Sequence, residues 1–190
     1  MSSIKDKEIK EFLEELSSNS PAPGGGAAAA LVGGIAASLV EMVANLTVDK
    51  KGYEKVNEKM KRVRKQAINL KQKLLLLSDK DVKVFNQVME AYRLAKEEKG
   101  RKIKIQNALK EATEIPLETA ILSNEVLKLA RGVIKEGNKN ARSDAKSAEF
   151  LAKAAIGSAL ENVKVNLGFI DDPEWKKKIS SKSLLLHKTL

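Results

Sequence analysis

Gly24-Gly25-Gly26 runs without a break into Ala27-Ala28-Ala29-Ala30, and Pro21-Ala22-Pro23 stands just before it. Two prolines and three glycines cannot continue a helix, whereas four alanines are the strongest helix formers available. A tight turn therefore feeds directly into a helix N-terminus, where the first N–H groups lack partners and the helix dipole is positive. Such a corner is either an ordinary turn ahead of a core helix or a seat for an anion or polar ligand. The helix it opens is expected from about Ala27 to Thr47, with Glu41 as its only charge. Its length could span a bilayer. The Ala, Gly and Ser it is built from, and the charged, amphipathic chain around it, place it instead in the core of a soluble bundle. Gly26, Ala30, Gly34 and Ser38 recur every fourth residue, as do Ala29, Gly33 and Ala37, so another backbone can approach closely. The helix is expected to be buried on all sides and suited to a dimer interface. Glu41 and Asn45 continue the Ala37 ridge and should lie deep in the fold. A buried carboxylate there is either hydrogen-bonded for structure or held with a shifted pKa for chemistry.

The remaining chain reads as helix almost throughout. Ser3-Ile4-Lys5-Asp6 resembles a capping box opening a helix to about Leu16, with Ile9, Phe12, Leu13 and Leu16 on its buried face. A third helix is expected from about Tyr53 to Leu77, a break or kink at Ser78-Asp79, then helix through Ala95. Gly100 precedes a helix from Lys102 to Ala112, and Pro116 is either a kink or the first turn of a helix continuing to Lys135. Ser143 and Asp144 open another helix to about Phe169, and Pro173 starts an amphipathic last one. Nothing alternates at period two. One all-α domain over residues 1–190, a compact multi-helix bundle around the Ala/Gly-rich helix, follows from the length and pattern.

Composition removes several classes of chemistry. There is no cysteine, hence no disulfide, thiolate metal site or thiol nucleophile, and the one histidine, His187, sits near the C-terminus. No metal site is expected. Aromatics at 4% argue against stacked single-stranded bases, which leaves nucleic acid an unfavoured partner. The N-terminus lacks a basic-then-apolar order, so a cytoplasmic protein without a membrane segment is expected. The net charge of +10 is concentrated: between Lys50 and Lys73 ten Lys and Arg side chains face only Glu54 and Glu58. That run is either a solvated helix face or a lure for an anionic partner.

Three polar clusters stand against the apolar background. Asp79-Lys80-Asp81 precedes Val82, Val84, Phe85, Val88 and Met89, so an acid at a helix start either caps it or does chemistry. Gly137 to Asp144 holds more hydrogen-bonding groups than a helix connection needs. Asn162 and Asn166 are one turn apart among Val and Leu, where an amide requires a definite partner. With the glycine corner, these suggest a polar pocket between helices.

Taken in order, Pro21 to Gly26, Met42 to Thr47, Asp81 with Phe85, Tyr92-Arg93-Leu94, Gly137-Asn138 with Ser143-Asp144, and Asn162-Val163 with Asn166-Leu167 resemble the formiminotetrahydrofolate cyclodeaminase / methenyltetrahydrofolate cyclohydrolase family. The resemblance runs over nearly the whole chain. It implies a dimerising helical bundle that closes 5-formiminotetrahydrofolate to 5,10-methenyltetrahydrofolate with loss of ammonia. The alternatives it leaves are hydrolysis of the methenyl compound in the same pocket, or folate binding without turnover. It implies Asp81 as the catalytic aspartate and no cofactor beyond the folate substrate. Asn138, Ser143, Asp144, Asn162 and Asn166 would position pterin and amidine, and Gly24, Gly25 and Gly26 would bind a carboxylate or carbonyl of the aminobenzoyl-glutamate part. Lysines of the third helix would attract a glutamate or polyglutamate tail. Two departures stand out: Ala27 where the family usually has Ser, and Ala95 where it often has Pro.

Overall fold

The computed structural model describes residues 3–190, and among these there are six α-helices and no strand. They are α1 (Ile9–Leu16), α2 (Gly25–Asn45), α3 (Asn57–Arg93), α4 (Arg101–Glu136), α5 (Arg142–Leu167) and α6 (Pro173–His187). The all-α expectation is met.

The order of the bundle is set by α3. Met60, Val63, Ala67, Leu70, Leu74 and Leu77 recur at alternating spacings of three and four, and Val84, Val88 and Ala91 resume the same seam. This heptad keeps one stripe of a long helix against its neighbours. The position between Leu77 and Val84 in that register is Asp81, a carboxylate in a row of hydrocarbons. The seam packs on α2, which is also flanked by α4 and α5. Burying a Leu such as Leu74 or Leu77 contributes about 1.5–3 kcal/mol, and a row of them holds α3 in register. Close approach is obligatory at Gly33, where a Cβ would stand 2.7 Å from the Ser123 hydroxyl of α4 and 3.2 Å from Leu74. The spacing of small residues along α2 thus serves the packing it suggested. By length and composition α2 could cross a membrane, but 56% of its most apolar window is buried within the bundle. The last helix is tied on by Asp172, which caps it through the Trp175 N–H (3.0 Å) and pairs with Lys110 of α4 (2.7 Å).

Several local expectations are corrected. The Ser3 hydroxyl does not cap its own helix. It and the Ile4 N–H both donate to the Asp79 carboxylate on α3, leaving Ile4–Asp6 a short 3-10 turn. In α1 only Phe12 is buried, while Ile9 and Leu13 face outward. There is no break at Ser78-Asp79: the Ser78 hydroxyl bonds back to the Leu75 carbonyl at 2.7 Å and α3 runs on. Asp79 and Asp81 therefore lie inside α3 and do not cap it. Of the two readings of Pro116, the helix start is excluded, since it sits within α4, which runs unbroken from Arg101 to Glu136. Finally, α2 is covered on three sides only. Ile35, Met42 and Leu46 form an exposed apolar stripe, Asn45 lies on the surface, and Glu41 is half-buried in an ion pair with Lys71 at 2.7 Å. Three neighbouring helices cannot enclose a fourth, so the ridge carrying Glu41 and Asn45 turns outward.

Candidate active site

A cavity of about 490 Å³ opens between the glycine corner, α3, α4 and α5. Its first wall is Pro21, Ala22 and the three glycines Gly24, Gly25 and Gly26. Asp81, Val84, Phe85, Val88, Met89 and Tyr92 form the second, spaced so that one face of α3 turns inward. Asn162, Val165, Asn166 and Phe169 form the third with the same helical spacing on α5, and Leu109 and Ala112 of α4 close the back. The lining is mostly hydrocarbon and aromatic with a few convergent polar groups, as sites for organic ligands are. Phe85, Tyr92 and Phe169 supply aromatic surface to this lining. No lysine or arginine lines the space.

Asp81 meets the glycine corner in direct contact. A Cβ built on Gly26 would lie 2.1 Å from Asp81 Oδ1 and 2.8 Å from Oδ2, so the carboxylate fills the volume that any side chain at residue 26 would need. The Ala27 N–H at the start of α2 lies beside this carboxylate and favours its charged form. Burial outweighs it and raises the Asp81 pKa from the usual 3.8 to about 6. A carboxyl so placed is available as base and as acid near neutral pH, the requirement for proton transfer in both directions. The α2 N-terminus thus holds the protein's own anion. A ligand carboxylate expected at this corner would therefore meet the Asp81 carboxylate, which already fills the space beside Gly26.

The family model for formiminotransferase-cyclodeaminase matches residues 8–184. The chain belongs to that family. It is 44% identical over 168 residues to a methenyltetrahydrofolate cyclohydrolase of Methylorubrum extorquens, covering 86% of this chain and 81% of that protein. A formimidoyltransferase-cyclodeaminase of Gallus gallus is 29% identical over 178 residues, 92% of this chain, although the chain spans 33% of that longer protein. The crystal structure of a formiminotetrahydrofolate cyclodeaminase from Thermotoga maritima matches with a TM-score of 0.91 and 33% identity, covering 97% of this chain and 90% of that one. The folate-enzyme resemblance read from the motifs is therefore a family membership.

Within this family fold the named residues divide into two groups. Gly24, Gly25, Gly26, Asp81, Asn162 and Asn166 converge on the cavity. A Cβ on Gly25 would touch Asn162 Nδ2 at 3.4 Å, so corner and α5 wall are in contact. Asn138, Ser143 and Asp144 do not join them. Asn138 is buried at the far end of α2: its N–H donates to Thr47 Oγ1, its Nδ2 to the Leu46 carbonyl, and its Oδ1 accepts from the Asn140 N–H. That end lies about 30 Å along the helix from Gly25, at 1.5 Å per residue. Asn138 is a clasp for the α4–α5 connection, and it does not line the cavity. The basic run is displaced too. Lys73, its last member, is eight residues or about 12 Å before Asp81 on α3, and the run recedes from there. Lys59, Lys61 and Lys71 are engaged with Glu136, Glu58 and Glu41. Missed from sequence as site residues were Phe85, Met89, Tyr92 and Phe169. Stepping three and four residues from Asp81 and from Asn162 finds all of them once α3 is read as unbroken.

Proposed function

We propose that the chain acts on the one-carbon unit bridging N5 and N10 of tetrahydrofolate, with Asp81 as general acid and base. The observation that carries this is the Asp81 carboxyl pressed on the Gly26 corner, its pKa raised by burial to about 6, at the wall of the cavity between α3, α4 and α5. The favoured reaction is hydrolysis of 5,10-methenyltetrahydrofolate to 10-formyltetrahydrofolate, because the relative at 44% identity is named for it. In this step water adds to the methenyl carbon and gives a proton to the Asp81 carboxylate. The C–N5 bond of the resulting tetrahedral adduct breaks, its electron pair goes to N5, and Asp81 returns a proton there. The adduct hydroxyl loses its proton to solvent, so one proton is released per turnover. The hydrophobic walls exclude competing water and strengthen the carboxylate's attraction for the cationic methenyl group.

A second reading, ring closure of 5-formiminotetrahydrofolate, is favoured by the likeness to the Thermotoga maritima cyclodeaminase. There N10 attacks the formimino carbon, Asp81 takes the N10 proton, and delivers it to the departing ammonia. The same carboxyl suits both, so the substrate decides. Incubation with each folate separately, following ammonia release and methenyl absorbance, distinguishes them. Neither signal from a folded protein would leave folate binding without turnover. A second copy of the chain is the natural cover for Ile35 and Met42 on α2 and Leu46 just past its end, which supports a homodimer. We place the enzyme in the cytoplasm.

A further inference from the structure

Pro116 interrupts the hydrogen-bond ladder of α4 without ending the helix. A residue with an N–H at 116 would donate to the carbonyl of residue 112, four positions earlier. Proline has none, so the Ala112 carbonyl is released and can tilt out of the helix. It is not left unpaired. Asn166 of α5 donates its Nδ2 to it at 2.8 Å, and both residues line the cavity. A carbonyl only accepts, which fixes the amide's orientation: nitrogen toward α4, Oδ1 the other way. Among the described residues Oδ1 has no protein donor.

We propose that Pro116 is a positioning residue of this site: by freeing the Ala112 carbonyl it locks Asn166 so that Oδ1 faces the cavity as an acceptor for an N–H of the ligand heterocycle. The ligand half rests on the folate reading above, and the half concerning Pro116 and Asn166 does not. A pterin supplies such donors in its ring N–H and amino groups. An amide free to rotate would present donor and acceptor by turns and lose that selectivity.

The test is Pro116→Ala, alone and combined with Asn166→Ala. Restoring an N–H and removing proline from a helix interior favours folding, so the variant is suited to measurement. Side-chain amide exchange at Asn166, followed by NMR in ligand-free protein, should be slow in the wild type and faster in Pro116→Ala. With methenyltetrahydrofolate, Pro116→Ala should raise KM about 2- to 10-fold with kcat little changed, the scale of one hydrogen bond. In the Asn166→Ala background the same substitution should add nothing to KM, the signature of two residues acting as one unit. Unchanged exchange in Pro116→Ala, or KM effects that simply multiply, would overturn the proposal. If the wild type turns over no folate, the proposed function fails, and the exchange measurement still decides whether Pro116 holds Asn166.

Discussion

Asp81 occupies the space that glycine at position 26 leaves empty, with Oδ1 2.1 Å from where a Cβ would be built. The two residues are therefore one design: the corner lacks a side chain so that a carboxylate can reach the first amides of α2.

Gly26→Ala tests that relationship. The new methyl must displace Asp81, and overpacking of this kind costs about 1–3 kcal/mol. A lowered melting temperature and near-complete loss of turnover are expected. Adding Asp81→Ala should restore the melting temperature but not the activity. If the double variant melts no higher than Gly26→Ala alone, the clash is elsewhere.

Asp81→Asn should separate stability from chemistry. The folded-state pKa, about 6, lies above the usual 3.8, so the folded protein holds this proton more tightly than the unfolded chain. Stability from this group is present at low pH and is lost as pH rises from about 4 through about 6. At neutral pH the buried charge costs up to about 3 kcal/mol, taking about 1.4 kcal/mol per tenfold change in proton affinity. The Asn variant should accordingly melt at a higher temperature at neutral pH, while turnover falls at least about 10²-fold. A lower melting temperature would mean the carboxylate is a net stabiliser.

Much of this was readable beforehand, and the misses share a cause. The helical fold, the corner and the two asparagines of α5 follow from local chemistry: glycines and prolines that stop helices, and amides that need partners. Asp79 and Asp81 were misread as a helix start because Ser and Asp favour caps. The heptad of α3 overrides that preference, and read through it Asp81 is the one charge in an apolar seam. Asn138 was drawn toward the site by its polarity, yet Leu46, Thr47 and Asn140 consume its groups. Which hydrogen bonds a loop spends on itself depends on the tertiary fold. The tie between Ser3 and Asp79, 76 residues apart, is of the same kind.

Asn138→Ala checks that assignment. It removes the bonds to the Leu46 carbonyl and the Asn140 N–H at a buried position, which should cost about 1–3 kcal/mol. KM and kcat of the folded protein should stay within about twofold of wild type, well under the loss of one ligand hydrogen bond. A large rise in KM with the melting temperature intact would return Asn138 to the binding site.

Phe85→Ala reports on the apolar wall. Phe85 faces the cavity one turn beyond Asp81 and is only partly buried, so stability should change little. Loss of a stacking surface worth about 0.5–1.5 kcal/mol beyond its area should raise KM more than it lowers kcat. Equal losses in kcat and kcat/KM would place the ring in the transition state instead.

The pH dependence of kcat/KM addresses Asp81 most directly. With methenyltetrahydrofolate, the rate should rise through an inflection at about 6 as the carboxyl ionises, falling about tenfold per pH unit on the acid side. Asp81→Asn should abolish that limb along with the activity. A profile flat across this range in the wild type, or the same limb surviving in Asp81→Asn, would contradict the role given to Asp81.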